Sequence, residues 1–164
     1  MSEQSDSRRA FLAGGAGVAA GAVLAPEASA QTGMIINAPD VVQEIATAFA
    51  GYDRALGAND VAALNGYFFD NPSTVRYGNA ENLYGFAEIA AFRASVTSNT
   101  PPQRERTVIT TYGRDFATVA TLSRRPGGNK IGRTMQTWVR FPQGWRIVAA
   151  HVSLLGEATV MRNP

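Results

Sequence analysis

Helices first and strands after predict an α+β domain, with three N-terminal helices packed on one face of a curved antiparallel sheet. Three observations carry this expectation. Apolar residues recur at helical spacing up to about residue 97, β-rich runs take over from about residue 106, and glycine-containing turns join those runs. The chain has 164 residues, 45% hydrophobic and 17% charged, which suits one soluble domain with a single core.

The first thirty residues read as an address rather than as fold. Ser7-Arg8-Arg9-Ala10-Phe11-Leu12 is a twin-arginine pattern, and a Gly/Ala-rich apolar run through Leu24 follows it. Ala28-Ser29-Ala30 then supplies a small-x-small cleavage site before Gln31. The apolar run is too short and glycine-rich for a membrane span, which needs about 20 residues. Residues 1–30 are therefore expected to be an export signal, with no membrane anchor and a periplasmic destination. Residues 31–164 form the single domain, with its core at about 37–155.

Asn37-Ala38-Pro39-Asp40 opens the first helix, with proline in the first turn and an acid near the positive end of the dipole. Val41, Ile45, Ala48, Phe49, Tyr52 and Leu56 form its apolar stripe, and Gly57 is expected to end it. Asn59 or Asp60 caps a shorter helix carrying Leu64, Tyr67 and Phe68, which stops before Asn71-Pro72. A short strand at about 73–77 and a loop to Gly85 precede a third helix at about 86–97. In that helix Phe86, Ile89, Ala90 and Val96 share their stripe with Arg93. Strands at about 106–112, 116–123, 133–141 and 145–155 then make an antiparallel meander.

Composition removes several functions. There is no cysteine, so disulfides, thiolate catalysis and thiolate metal sites are excluded. With His151 the only histidine, a metal site would rest on carboxylates, and no such cluster is visible; no cofactor is expected. Arg8 and Arg9 leave with the signal, as do Glu3, Asp6 and Glu27, so a net charge of +2 becomes +3. Lys130 is the sole lysine. The bias toward arginine matters because its planar fork grips carboxylates bidentately, whereas lysine acts as a point charge. The arginines are dispersed among acids, so nucleic acid is not an expected partner.

The segments "NAPDVV", "TVRYGNAENLYG", "AFR", "TVITTYGRDFATV" and "GRTMQTWVRFPQGWRIVAAHVS" together resemble the AtzH-like family. That family belongs to the SnoaL-like, or nuclear transport factor 2-like, superfamily, which includes the ketosteroid isomerases. Its members take part in oxalurate and cyanuric-acid-type ureide catabolism and are found alongside amidases; the export signal is this chain's departure. The resemblance implies a cone-shaped fold whose pocket lies between the concave sheet face and the helices. It also implies a Tyr52/Arg76 pair of the kind that decarboxylating amidohydrolases of the family use. Isomerase-type relatives carry a proton-abstracting carboxylate at the strand position. Arginine cannot take a proton at neutral pH, so that chemistry is disfavoured here.

The candidate site follows. Tyr52 sits on an apolar stripe and its hydroxyl needs a partner, in a pocket or on backbone. Arg76, if inward, requires either a protein carboxylate (Glu81 or Asp70) or that of a ligand, because an unpaired buried arginine costs several kcal/mol. Arg93 either snorkels past Ile89 or makes a second anion contact. Gln136 and Trp138 share a face with Val148, Ala150 and Val152, which in superfamily relatives looks into the cone, and they are expected to touch substrate. His151 falls on the opposite parity with Trp145, Ile147 and Ala149, on an outer face expected to pair in a homodimer. Gly127-Gly128 and Asp115 read as turn residues.

The expected activity is therefore that of a small cofactor-free hydrolase acting on a carboxylated urea-like or amide substrate. The alternative is a non-catalytic binder of small carboxylates, or an accessory protein that partners an amidase.

Overall fold

The computed structural model describes residues 33–97 and 100–156; the twin-arginine stretch and its cleavage site lie outside them. Helix α1 spans Pro39–Ala58, with proline in its first turn and Asp40 beside it. Val41, Ile45, Phe49, Tyr52 and Ala55 form its buried stripe. Gly57 does not end the helix. Asn59 does, by taking the left-handed conformation (φ 50°) and turning its amide back onto the carbonyls of Ala55 and Leu56. Asp60 then caps α2 (Val61–Tyr67), accepting from the Ala63 amide at 3.0 Å.

Strand β1 (Val75–Tyr77) is followed by β2 (Asn82–Tyr84), where a loop was expected. Gly85, at φ 82°, turns the chain into α3 (Phe86–Ser95); a Cβ there would lie 3.4 Å from the Pro72 carbonyl oxygen. The meander is β3 (Gln103–Tyr112), β4 (Phe116–Arg124), β5 (Ile131–Phe141) and β6 (Gly144–Leu155). Strand order is β2-β1-β6-β5-β4-β3. The sheet is mixed, not wholly antiparallel: β1 runs parallel to β6, with Arg76 opposite Ala150 and Tyr77 opposite His151. A strand reached through helices can lie beside the last strand in either direction, and local sequence carries no sign of which.

One expected parity is corrected. Thr137 pairs with Ala149 but Trp138 pairs with Ile147, so β6 carries an extra residue, Val148, at a β-bulge. The bulge inverts the alternation that precedes it. Trp145 and Ile147, expected outside with His151, are buried at 6% and 0% exposure, while His151 stays outside. The core thus joins Val41, Ile45 and Phe49 of α1 and Ile89 of α3 to Val119, Trp138 and Ile147 of the sheet. On the outer face Val108 and Met135 remain exposed along a shallow groove that also includes His151. The C-terminal end of the β3 edge is covered by residues 35–37, the Asn37 amide donating to the Thr111 carbonyl and the Gly113 amide to the Ile35 carbonyl.

Gly51 sets the spacing between α1 and α2. A Cβ there would lie 2.0 Å from the Tyr67 hydroxyl oxygen, and the Tyr67 ring in turn meets Tyr52 edgewise at 6.0 Å. Alanine gains about 1 kcal/mol of helix propensity, but overpacking of this kind costs about 1–3 kcal/mol. Gly51→Ala is expected to lower stability by about 1 kcal/mol in denaturant unfolding, the balance of those two terms. Tyr67→Phe in the same background should recover most of that loss.

Candidate functional site

The space between the helices and the open end of the sheet is a cavity of about 610 Å³. Tyr52 of α1, Arg76 of β1, and Phe92 and Arg93 of α3 line it together, with Glu81 from the β1–β2 turn. Arg104 from β3 and Arg125 and Lys130 from the β4–β5 turn line it as well. Glu81 is the single acidic side chain in this lining, against five basic ones. The concavity therefore favours anions.

Arg76 faces inward. Pairing with Ala150 and Leu83 on either side puts its side chain on the concave face, 7% exposed, while Tyr77 points outward. Its guanidinium lies over the Phe92 ring at 4.8 Å and is ion-paired with Glu81. The turn makes that pairing possible. The Gly78 amide donates to the Glu81 carbonyl at 2.7 Å, and the Ala80 amide donates to Glu81 Oε2 at 3.2 Å. Burial alone would raise the Glu81 carboxyl, but the Arg76 hydrogen bond and charge outweigh it and hold the group below its ordinary 4.5. A depressed folded value means that the pair's stabilisation is present above the ordinary glutamate range and is lost as acid protonates Glu81.

Arg93 is buried rather than snorkelled. It follows Ile89 by one turn, and these two are the buried residues of α3, at 0% and 8% exposure. Its Nη2 donates to the Tyr52 hydroxyl at 3.4 Å, and its Nε is buried without a hydrogen-bond partner. Among the described residues it has no ion pair. Burial pulls its pKa down, the Tyr52 hydroxyl pushes it up and the charge of Arg76 lowers it further. Arg104 is different: it is held by Asp53 at 3.0 and 3.2 Å and by Thr121 at 3.1 Å.

Tyr52 is 5% exposed and lies among Phe49, Tyr67, Phe68 and Trp138, with ring centroids 6.0–6.5 Å away. Because its oxygen accepts from Arg93, its own O–H is free to donate toward the cavity. Gln136 and Trp138, expected to touch substrate, do not line the cavity. They are 1% and 0% exposed, and the Trp138 indole donates to Gln136 Oε1 at 3.1 Å. Their place is behind Tyr52, where Trp138 braces its ring. His151 lies on the outer face against Tyr77, with ring centroids 6.3 Å apart.

Sequence reasoning missed Phe92 and the basic rim. Arg104, Arg125 and Lys130 come from strand ends and a turn, and no spacing rule links those positions to α3. Glu81 was visible only as one of two partners for Arg76. Among the described residues no group of three or more His, Asp or Glu side chains is placed to hold a metal ion, and no helix is long and apolar enough to cross a membrane.

The sequence profile of the AtzH-like family matches residues 34–158. A protein of unknown function from Pectobacterium atrosepticum is 51% identical over 76% of this chain and 100% of its own, with a TM-score of 0.73. A cystatin-like fold protein from Burkholderia xenovorans is 46% identical, covering 76% of this chain and 98% of its own, with a TM-score of 0.72. A nuclear transport factor 2-like superfamily protein from Salmonella enterica shares the fold at 23% identity and a TM-score of 0.61, over 76% and 98% of the two chains. No curated protein matches the sequence.

Proposed function

We propose, from the premise that this chain belongs to the AtzH-like family, that it is a small hydrolase of the decarboxylating amidohydrolase type. Its substrate would be a carboxylated urea-like or amide molecule. One observation carries the reading: Arg93 is a buried cation with no ion pair among the described residues, and it opens onto the cavity beside Tyr52 and Arg76. A buried charge of that kind is costly for the fold, and a ligand carboxylate would compensate it.

In this reading Arg93 and Arg76 hold the substrate carboxylate by charge-assisted hydrogen bonds. Water is the nucleophile: as its oxygen bonds to the carbonyl carbon, the Tyr52 O–H donates to the carbonyl oxygen. As the C–N bond breaks, the leaving nitrogen takes a proton from Tyr52 that the added water returns, so that an acid and an amine are released. The aromatic cage around Tyr52 fixes the direction of that donation and excludes water from one side of it. The test is Arg76→Lys. A point charge does not reproduce the fork, so kcat/KM on a carboxylated ureide should fall by roughly 10- to 100-fold with the fold intact. Normal turnover by the lysine variant would remove Arg76 from the clamp.

A second reading is favoured by one feature. The carboxylate that lines the cavity, Glu81, is tied to Arg76 and so is not a free base. On that reading the same pocket binds a carboxylate without converting it, as an accessory to an amidase. Ligands that stabilise the protein yet are recovered unchanged after prolonged incubation would favour it over catalysis.

A further inference from the structure

Arg76 and Arg93 both stand within 6.0 Å of the Phe92 ring centroid, and Arg93 feels the charge of Arg76. Yet the two guanidinia are in opposite situations. Arg76 is ion-paired with Glu81, whereas among the described residues Arg93 has no ion pair and donates to the Tyr52 hydroxyl. Glu81 is not fixed by distant packing. It hangs from the short turn Gly78-Asn79-Ala80, and among the described residues its carboxylate accepts from Arg76 and the Ala80 amide alone. Its side chain is 23% exposed, against 8% for that of Arg76, so it reaches Arg76 from the solvent side. The carboxylate also packs on Gly78 so closely that a Cβ there would lie 1.9 Å from Oε1.

We infer that Glu81 is an internal competitor for the ligand and sets the specificity of the pocket. This rests on the anion-binding reading above and adds a selection rule to it. A ligand carboxylate that engages Arg76 must first displace Glu81, and the exchange of one carboxylate for another returns little net free energy. A ligand with a single carboxylate then gains mainly from Arg93. A ligand with two acceptor groups spaced to reach Arg93 and Arg76 together makes the displacement effectively intramolecular, and it binds where the first does not. Glu81 thereby weakens simple monocarboxylates more than ligands that span both arginines.

The experiment compares acetate and malonate as probes on the full chain, by isothermal calorimetry and thermal shift. Two variants release Arg76 in independent ways. Glu81→Gln removes the competing charge, and Gly78→Ala drives the same carboxylate away by steric contact while leaving its charge in the chain. In both, affinity for acetate is expected to rise at least tenfold, and the preference for malonate over acetate should shrink accordingly. Affinities within twofold of wild type in both folded variants would overturn the inference; should one variant fail to fold, the other decides alone. Arg93→Met separates this outcome from failure of the underlying reading. If wild type binds malonate and the methionine variant does not, the anion pocket stands whether or not Glu81 gates it. If neither wild type nor any variant binds either probe, both proposals fall together.

Discussion

Replacing Arg93 by methionine is expected to stabilise the protein and abolish its carboxylate binding in the same step. Arg93 is 8% exposed, its Nε lacks a hydrogen-bond partner, and the like charge of Arg76 acts on it more strongly than the opposite charge of Glu81. Methionine fills similar space with an adaptable apolar chain. Exchanging a poorly compensated buried charge for an apolar side chain of similar volume is worth about 1–4 kcal/mol of stability. For a domain of this size that corresponds to roughly 4 °C in melting temperature for each kcal/mol. Binding moves the other way, because the buried cation that has no ion pair among the described residues is gone; a loss of at least 100-fold is expected, about 3 kcal/mol. Thermal melts with and without added carboxylate read both quantities at once. A variant that melts lower than wild type and still responds to carboxylate would sink the argument on both counts.

Tyr52→Phe separates chemistry from packing. The phenyl ring keeps the edgewise contacts with Tyr67, Phe68 and Trp138, so the core is unchanged. What is lost is a hydroxyl, together with the one hydrogen-bond acceptor of Arg93 among the described residues. Stability should fall by only about 1 kcal/mol. Turnover of a carboxylated ureide should fall by roughly 10²- to 10⁴-fold in kcat, the span usual for a positioned proton donor, with KM changed little. Single-turnover kinetics on the phenylalanine variant checks this, and turnover near the wild-type rate would leave Tyr52 with a structural role alone.

What could be read from the residues alone was mostly what local periodicity carries. The stripe of α1, the cap at Asp60 and the meander follow from spacing and turn chemistry, and they are where the residues put them. Arg76 was legible as the odd residue of a short strand, but alternation left its face open, since Val75 and Tyr77 opposite it are the apolar pair; the structure puts Arg76 inside. The parallel pairing of β1 with β6 was not legible, because partners more than seventy residues apart leave no local mark. Neither was the bulge at Val148, which turned a correct alternation at His151 into a wrong one at Ile147. Strand β2 was hidden because three residues, only one of them half-buried, make no pattern.

The candidate site divides along the same line. Tyr52, Arg76 and Arg93 were nameable from their stripes, and the structure brings all three to one cavity. Their relative importance was not nameable. Which arginine has a counter-ion depends on the fold of a turn around Gly78, not on the pattern of either element. Gln136 and Trp138 are buried and lie outside the cavity lining, because parity tells which face a side chain takes and not how deep it lies.

The parallel pairing of β1 with β6 also imposes an order in time. Arg76 leaves the ribosome long before residues 149–151, the partners that hold its strand on one side. At about 5–20 residues per second that gap is on the order of several seconds. Over that interval the helices and the first hairpins can form, but no chain that ends before β6 can seat Arg76 between two strands. The pocket is therefore completed last, by the last strand of the sheet.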